Sequence, residues 1–295
     1  MTNKSIRYKK QFELNGRVAV VTGATGILGK KFCSGLAEFG AKVVVVDIDK
    51  GQVENFSKIL ENRYGTECLG LVCDVSDADS VKKTTEYIEK TIGTIDILHN
   101  NAATKGKDLK KLFAPLEEYE IDTWRELMAV NLDGMFLVAK EVGSRMAKRG
   151  KGSIIQTASI YGATMGPDQR IYEDSEYMGM KINTPPSYAV TKGGVVGLTN
   201  YLATYWASKG VRVNTISPGG IESGQNDIFY KRYSSRVPMG RMAEADEIVG
   251  ALIFLASDAS SYITGQNIFI DGGLSAWGKH IMHAVVKKCI KDDRN

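Results

Sequence analysis

Residues 17–29 read Arg17-Val18-Ala19-Val20-Val21-Thr22-Gly23-Ala24-Thr25-Gly26-Ile27-Leu28-Gly29, and this stretch decides the fold. Its first half is a short apolar run that ends at a glycine, which is typical of a buried strand. Its second half is rich in glycine, and an apolar-periodic segment follows through Phe39. Strand, glycine turn and helix in this order predict a dinucleotide-binding turn, because glycines let the backbone approach a pyrophosphate and the helix N-terminus offers free N–H groups. An ordinary turn between a strand and a helix is the alternative.

The next apolar run, Lys42–Val46, ends at Asp47. This acidic residue argues against an ordinary turn between a strand and a helix. An acidic residue about 20 positions after the glycines accepts hydrogen bonds from the ribose hydroxyls of the adenosine half. The same carboxylate repels a 2′-phosphate, and no Arg or Lys lies between Gly23 and Gly29 to receive one. The sequence therefore predicts NAD(H) as the cofactor and disfavours NADP(H).

Strand and helix patterns continue to alternate along the chain. Five further strands are predicted at Leu69–Cys73, Ile95–His99, Gly152–Thr157, Val211–Ile216 and Asn267–Ile270. Ser76 begins a capping-box pattern, Asp122 is the expected N-cap of a long helix with one apolar stripe from Trp124 to Met135, and Glu244–Ser257 reads as a further helix. This alternation predicts an α/β fold: a doubly wound parallel sheet of about seven strands with helices on both faces. We expect one domain over residues 14–276, an extension over 1–13 and a helical tail over 277–295.

Composition excludes several classes of protein. The chain is 43% hydrophobic and 24% charged, which is ordinary for a globular protein. Its net charge of +4 is small for this length and gives no reason to expect nucleic acid as a partner. No apolar run approaches the about 20 residues of a membrane span, and Met1–Glu13 has no apolar signal core. The four cysteines form no C-x-x-C pair, so we expect reduced thiols and a cytoplasmic protein. His280 and His283 suggest a surface pair, and we expect no metal.

A phenol and an ammonium lie four residues apart in Tyr188-Ala189-Val190-Thr191-Lys192. On a helix these two side chains share one face, and the lysine charge favours the phenolate and lowers the pKa of the tyrosine. Such a tyrosine exchanges a proton with an alcohol or a ketone near neutral pH. Alone, this spacing is also common on solvated helix faces.

Taken together, these motifs make the sequence resemble the short-chain dehydrogenase/reductase family, single-domain branch, over about residues 14–276. The resemblance implies an Asn131, Ser159, Tyr188 and Lys192 tetrad, with Tyr188 as acid/base, Ser159 on the reacting oxygen and Asn131 interrupting its helix to bind a water that supports Lys192. It implies a small-molecule substrate and a homotetramer or homodimer built on two long helices. The cofactor contacts that it implies are Gly23, Thr25, Gly26, Ile27, Leu28, Gly29, Asp47, Asp74, Val75, Asn100, Ala102, Tyr188, Lys192, Pro218, Gly219, Ile221 and Ser223.

Two features depart from the family pattern. The glycines read T-G-x-x-G-x-x-G, so that Ile27 stands where the family usually has a glycine. Ser159 and Tyr188 are 29 positions apart, where the family usually has about a dozen. About 16 extra residues therefore lie within Met165–Pro186, a segment called the insertion below, and glycines near its ends suggest a lid.

The insertion is polar, and we expect its Arg170 and Lys181 to contact an anion. The second loop expected over the site, Glu222–Met239, carries Lys231, Arg232 and Arg236. Both loops suit a polyhydroxylated substrate, either neutral or anionic, and the sequence resembles gluconate 5-dehydrogenase-like enzymes and surface-glycan sugar oxidoreductases. The charges also fit a solvated rim. A 3-oxoacyl-[acyl-carrier-protein] reductase and a non-catalytic dinucleotide-binding protein are the alternatives.

Two further patterns call for a packing explanation. Gly193, Gly194 and Gly197 lie inside the Tyr188 helix, where each costs about 1 kcal/mol against alanine. We expect them to pack against the cofactor or a partner helix. The stripe Ile281, Met282, Val285, Val286 and Cys289 in the tail predicts an amphipathic helix.

Overall fold

The structure, a computed structural model, describes residues 8–277. Its centre is a seven-stranded sheet in which every neighbouring pair of strands is parallel, in the order β3-β2-β1-β4-β5-β8-β9. These strands are β1 (Val18–Thr22), β2 (Lys42–Asp47), β3 (Cys68–Val72), β4 (Ile95–Asn100), β5 (Gly152–Thr157), β8 (Val211–Pro218) and β9 (Asn267–Ile270). The strand order reverses between β1 and β4, and a ligand crevice forms at such a point, outside the carboxyl ends of the strands.

Helices cover both faces of this sheet, as the doubly wound prediction requires. The longer ones are α1 (Ile27–Glu38), α2 (Lys50–Tyr64), α3 (Ala78–Thr91), α5 (Ile121–Met128), α6 (Met135–Arg149), α8 (Pro186–Trp206), α9 (Asp227–Ser234) and α10 (Val249–Ala256). Single turns are α4 (Leu109–Leu112), α7 (Ile160–Ala163) and α11 (Leu274–Trp277). A π-helical turn, Ala129–Gly134, joins α5 to α6.

Alternate side chains of each central strand enter different cores. Val18 and Val20 of β1 pack with α3 and α6 on one face, whereas Ala19 and Val21 pack with α1 and α10 on the other. This period of two, in a strand that is buried on both faces, is why the strands read as continuous apolar runs in the sequence.

Several predicted boundaries differ from those in the structure. β3 lies one residue earlier than predicted, and β8 continues to Pro218. Helix α3 is capped by Asp77, whose side chain accepts from the backbone N–H of Asp79, whereas the Ser76 hydroxyl donates to Asp74. Asp122 lies inside α5, which follows the extended residue Glu120. The predicted Glu244 helix begins as a 3₁₀ turn, Ala245–Ile248, and continues as α10.

The insertion folds into a 3₁₀ turn, Gln169–Tyr172, and an antiparallel hairpin formed by β6 (Glu176–Tyr177) and β7 (Met180–Lys181). The two turn residues, Met178 and Gly179, both have positive φ. This is the geometry of a two-residue hairpin turn, in which the twist of the turn matches that of the strands. The sequence analysis did not predict this hairpin, because Met178 is not a residue type that signals such a turn.

None of the helices between residues 8 and 277 combines the length and the apolar content that crossing a bilayer requires. Cys33, Cys68 and Cys73 are free thiols, as predicted. The predicted tail helix, with His280, His283 and Cys289, lies outside the described residues.

Candidate active site

A cavity of about 840 Å³ lies at the carboxyl ends of β1, β2 and β3, next to the glycine turn. We call it the nucleotide cavity. Most of the cofactor contacts implied by the resemblance line it. They are Gly23, Thr25, Gly26, Ile27, Leu28, Gly29, Asp47, Asp74, Val75 and Ala102.

Gly23 allows the close approach on which this turn depends. Its φ is +63°, and a Cβ atom there would lie 2.8 Å from the Cα of Ala102, which is closer than real Cβ atoms come. Helix α1 begins directly after Gly26, which has no side chain to cap it, so the first N–H groups of the helix are free. Free N–H groups beside a glycine turn suit a pyrophosphate, and the exposed Ile27 does not close the cavity.

Asp47 is held in place at the cavity edge by its neighbours. One carboxylate oxygen accepts hydrogen bonds from the Thr25 backbone N–H at 2.9 Å and the Thr25 hydroxyl at 2.6 Å. The other accepts from the Ile48 N–H at 2.8 Å. The negative charge therefore stays at the end of β2, where the sequence analysis expected it. Asp74 instead organises its own turn by accepting from Ser76.

Four implied cofactor contacts line neither this cavity nor the one described next: Asn100, Lys192, Pro218 and Ser223. The Asn100 side chain is buried in the sheet, where it donates to the Met135 carbonyl at 2.7 Å and to Gln156 at 3.3 Å. Asn101 lines the nucleotide cavity in its place. Pro218 ends β8, and the exposed Ser223 donates its backbone N–H to Gln225. The structure therefore gives Asn100 the role of joining β4 to β5 and α6.

A second cavity of about 390 Å³, the substrate cavity, adjoins the first, because Ala103 and Thr104 line both. Asn131, Ser159 and Tyr188 of the predicted tetrad line it, together with the predicted cofactor contacts Gly219 and Ile221. Lys192 is buried behind them. Three of the four predicted residues thus line the substrate cavity, and the fourth is buried next to Tyr188.

Tyr188 lies in the first turn of α8, close to Ser159. Burial raises the pKa of the Tyr188 phenol, and a hydrogen bond with the Ser159 hydroxyl opposes that rise to a smaller extent. We predicted a lowered pKa through Lys192, and the direction in the structure is the opposite. Desolvation disfavours the phenolate more than the neighbouring hydroxyl favours it.

Lys192 faces the sheet and does not pair with the phenol oxygen. Its ammonium donates to the Thr157 carbonyl at 2.9 Å and lies 5.9 Å from the centre of the Tyr188 ring. Burial lowers the pKa of Lys192 to about 8. The lysine is therefore still charged at neutral pH and close to the tyrosine, but on its ring face.

Asn131 interrupts its helix, as predicted, because it lies in the π-helical turn between α5 and α6. Both ends of its side-chain amide bind the backbone of Thr104: the oxygen accepts from the N–H at 2.7 Å, and the nitrogen donates to the carbonyl at 3.2 Å. The side chain thus holds the loop after β4, and the water that we expect Asn131 to bind stays a prediction.

The three glycines of α8 do not share one role. A Cβ atom on Gly193 would lie 2.8 Å from the Gly162 carbonyl, in the loop that follows Ser159. One on Gly194 would lie 2.9 Å from Leu132, in the π-helical turn that carries Asn131. A Cβ atom on Gly197 would meet nothing within 4 Å. Gly193 and Gly194 therefore pack against this chain itself, and they bring the Ser159 and Asn131 segments close to the Tyr188 helix.

The insertion contributes walls rather than charges to the substrate cavity. Tyr172, Asn183, Thr184 and Pro185 line it, but Arg170 and Lys181 do not. Arg170 pairs with Asp168 at 2.8 Å on the surface. The expected anion contacts within the insertion are therefore wrong.

The cations of the Glu222–Met239 loop also turn away from the substrate cavity. Arg232 pairs with Asp174 at 2.8 Å and Arg236 with Asp168 at 3.2 Å, so both bind the insertion. Lys231 does not line the cavity either. Most of the lining is apolar or aromatic, which the polar composition of the two loops did not predict. Its aromatic residues are Phe113, Tyr161, Tyr172, Tyr188, Phe229 and Tyr233.

The sequence analysis also missed Lys105 and Asn183, which line the substrate cavity. Lys105 lies shortly after Asn100-Asn101-Ala102 at the end of β4, and its place after a strand end was the signal that pointed to it. Asn183 donates to the carbonyls of Phe113 and Ala114, a contact across 69–70 positions that no local pattern shows. Within residues 8–277 no group of three or more His, Cys, Asp or Glu side chains converges as a metal site.

Fold and cavities together define a dinucleotide-binding α/β oxidoreductase with its reaction centre at the sheet's carboxyl edge. The chain belongs to the short-chain dehydrogenase family, since the family model described as short chain dehydrogenase matches residues 17–176. A second model, described as enoyl-(acyl carrier protein) reductase, matches residues 174–275. The chain is accordingly a dehydrogenase that acts on CH–OH groups.

Curated relatives and solved structures agree with this placement. The chain is 36% identical over 271 residues to a D-threitol dehydrogenase of Mycolicibacterium smegmatis, covering 89% of this chain and 94% of that protein. It is 34% identical to a 3-oxoacyl-[acyl-carrier-protein] reductase of Thermotoga maritima, over 88% and 98% of the two chains. A crystal structure of a gluconate 5-dehydrogenase from Burkholderia cenocepacia, in complex with NADP and tartrate, is similar with a TM-score of 0.78 at 34% identity, covering 90% of this chain and 98% of that one.

Proposed function

We propose that this protein interconverts a secondary alcohol and a ketone on a sugar, polyol or sugar-acid substrate, with a nicotinamide dinucleotide as hydride carrier. One observation carries the proposal: Ser159 and Tyr188 line the substrate cavity, and this cavity adjoins the nucleotide cavity at Ala103 and Thr104. A carbon held against Ser159 and Tyr188 therefore faces the place where a nicotinamide would enter from the nucleotide cavity.

The residues of the nucleotide cavity fit a dinucleotide. Gly23 leaves room for a pyrophosphate, the uncapped N-terminus of α1 offers N–H groups to it, and Asp47 lies where ribose hydroxyls are recognised. When bound, the nicotinamide supplies the hydride acceptor or donor and, when oxidised, a positive charge.

Tyr188 moves the proton in this proposal. Its phenol takes the proton from the substrate hydroxyl during oxidation and returns it to the carbonyl oxygen during reduction. Ser159, which lines the same cavity, fixes the position of the substrate oxygen by a hydrogen bond to it. Because burial alone raises the pKa of Tyr188, the positive charges of Lys192 and of an oxidised nicotinamide are needed to stabilise the phenolate.

We propose NAD(H) as the preferred cofactor. The fixed carboxylate of Asp47 repels a 2′-phosphate, and the glycine turn contains no Arg or Lys to bind one. The gluconate 5-dehydrogenase of similar structure carries NADP, which makes the measured NAD/NADP preference a direct test of Asp47.

The residues that line the substrate cavity and the names of similar proteins both favour a small polyhydroxylated substrate. Asn183, Thr184 and Gln225 offer hydrogen-bonding groups, and the aromatic rings limit the cavity to about 390 Å³, a size that suits a small substrate. Threitol and gluconate, named for two similar proteins, are such molecules. A 3-oxoacyl carrier-protein reductase is the second candidate, because the lining is largely aromatic and one relative carries that name.

We propose that the insertion acts as a lid together with α9. Besides the ion pairs of Arg232 and Arg236, the Asn226 amide donates to the Ser175 hydroxyl at 2.8 Å, and the rings of Tyr172 and Phe229 stack at 5.3 Å. So many contacts join the two segments that α9 would move with the insertion when the cavity opens.

A homotetramer or homodimer remains our proposal for the assembly. Val190, Tyr201 and Tyr205 of α8 and Phe136 of α6 are 44–63% exposed. Large apolar side chains on two neighbouring helices suit a surface that a second copy covers.

The test is a panel of alditols, aldonates, sugar phosphates and a 3-oxoacyl thioester, each assayed with NAD(H) and NADP(H). We expect turnover of an alditol or a sugar acid with NAD(H). Preference for the thioester with NADPH would support the reductase candidate, and cofactor binding without turnover of any substrate would contradict the proposed activity.

A further inference from the structure

Charge is distributed unevenly around the substrate cavity. The insertion and the Glu222–Met239 loop together carry five cations, and none of these lines the cavity. Among the described residues that do line it, Lys105 has the one positive charge, and no carboxylate lines it. The rest of the lining is aromatic, aliphatic or uncharged polar. The Lys105 side chain is exposed to solvent, so an entering ligand can reach its charge.

The backbone around Lys105 is fixed. The preceding residue, Thr104, is held on both sides of its peptide unit by Asn131, at 2.7 Å and 3.2 Å. The following residue, Gly106, donates its N–H to the Thr104 hydroxyl at 3.0 Å. The lysine therefore starts from a rigid point between the two cavities, as a binding residue should.

The ammonium of Lys105 is also free to bind a ligand. Within residues 8–277 it takes part in no ion pair, whereas the neighbouring Lys111 pairs with Glu120 at 2.7 Å. The ring of Tyr177, in the insertion hairpin, lies beside it, with the ammonium 5.6 Å from the ring centre. A cation–π contact at that distance orients the ammonium without neutralising its charge.

We propose that Lys105 binds an anionic group of the substrate, so that the preferred substrate is a polyhydroxylated anion rather than a neutral alditol. This rests on the proposed function and narrows its substrate class. The anionic group is a carboxylate or a phosphate, both of which a lysine binds through charge-assisted hydrogen bonds. The anion occupies the side of the cavity near Thr104 and Lys105, and the reacting hydroxyl lies at Ser159 and Tyr188.

The test compares three six-carbon substrates that differ at one end: an aldonate, an alditol phosphate and the neutral alditol. The full-length protein is assayed as wild type, Lys105→Met and Lys105→Arg. Lys110→Met is the matched control, because Lys110 lies in the same segment but lines neither cavity. A charge-assisted hydrogen bond contributes about 1.5–3 kcal/mol, which corresponds to about 10- to 150-fold in kcat/KM.

We expect the wild type to prefer one of the two anions, and which of them it prefers identifies the group. Lys105→Met should raise KM for that anion at least tenfold and leave the neutral alditol unchanged, and Lys105→Arg should recover most of the loss. If Lys105→Met reduced kcat/KM equally for the anion and the alditol, or if the wild type preferred the alditol, the role of Lys105 would be overturned and the proposed function would stand. No turnover of any of the three would overturn the proposed function and this assignment with it.

Discussion

The nucleotide cavity and the substrate cavity are built in different ways. The first is lined by short stretches that directly follow successive strands, and its key contacts involve glycines and backbone groups. The second is lined by the loop after β4, the insertion and the Glu222–Met239 loop. The ion pairs Asp168–Arg236 and Asp174–Arg232 hold the insertion to the Glu222–Met239 loop. The difference teaches that cofactor binding is encoded locally and substrate binding by long-range contacts. The second cavity should therefore be removable without loss of the first.

The largest expected effect is the loss of turnover on substitution of Tyr188 in the substrate cavity. Tyr188→Phe removes the proton carrier, so turnover should fall about 10²- to 10⁴-fold. The dissociation constant of NADH, measured by fluorescence, should stay nearly unchanged. Tyr87→Phe is the matched control, since this exposed tyrosine of α3 lines neither cavity. Near-normal turnover of Tyr188→Phe would contradict the tetrad.

Removing the insertion tests the comparison directly. Replacement of Pro167–Asn183 by a short glycine–serine link removes Tyr172 and Asn183 from the wall, and we expect kcat/KM to fall about 100-fold with nearly unchanged NADH affinity. Loss of the buried Ile171 should also lower stability by about 1.5–3 kcal/mol, measured by urea unfolding.

Met178→Asn, at the exposed hairpin turn, is the control for this replacement and should leave the kinetics unchanged, because asparagine adopts positive φ readily. Loss of NADH binding together with the insertion would mean that the two cavities are not separable.

Cofactor choice tests the nucleotide cavity alone. Asp47→Ala removes the acceptor of ribose hydrogen bonds and the repulsion of a 2′-phosphate, so the ratio of kcat/KM for NAD to that for NADP should fall about tenfold. The KM of the sugar substrate should not change. Glu54→Ala, an exposed carboxylate on α2, controls for net charge. A wild-type preference for NADPH would show that the interpretation of Asp47 is wrong.

The smallest effects are expected at the glycines of α8. Gly193→Ala should lower kcat several-fold and destabilise the protein by about 1–3 kcal/mol, because its Cβ meets the Gly162 carbonyl and shifts the Ser159 loop. Gly197→Ala meets nothing and should stabilise the helix by up to about 1 kcal/mol with unchanged kcat. Circular dichroism melting and steady-state kinetics measure both. Equal changes in stability and kcat for the two variants would contradict the close packing of Gly193 against Gly162.

The same division explains what could be predicted from the sequence. The strands, the glycine turn, Asp47 and the tetrad follow from local patterns and from the family resemblance. Asn183 and the aromatic wall did not, because their roles depend on which distant segments meet. Lys105 was missed although its place after the end of β4 pointed to it. Arg232 and Arg236 were expected near the substrate, but their charges are paired with Asp174 and Asp168 of the insertion. Composition gives the charge of a segment but not the direction in which its side chains point.

The π-helical turn at Ala129–Gly134 has a consequence for angular phase. In a continuous α-helix, Leu127 and Met135 would lie about 80° apart around the axis, since each residue turns by about 100°. The extra residue of a π turn reduces that difference to about 20°. Leu127, Asn131 and Met135, all buried, can therefore point to the same side. The π-helical turn thus keeps the buried faces of α5 and α6 on the same side. Deletion of one residue within it would rotate Asn131 around the helix axis relative to either α5 or α6.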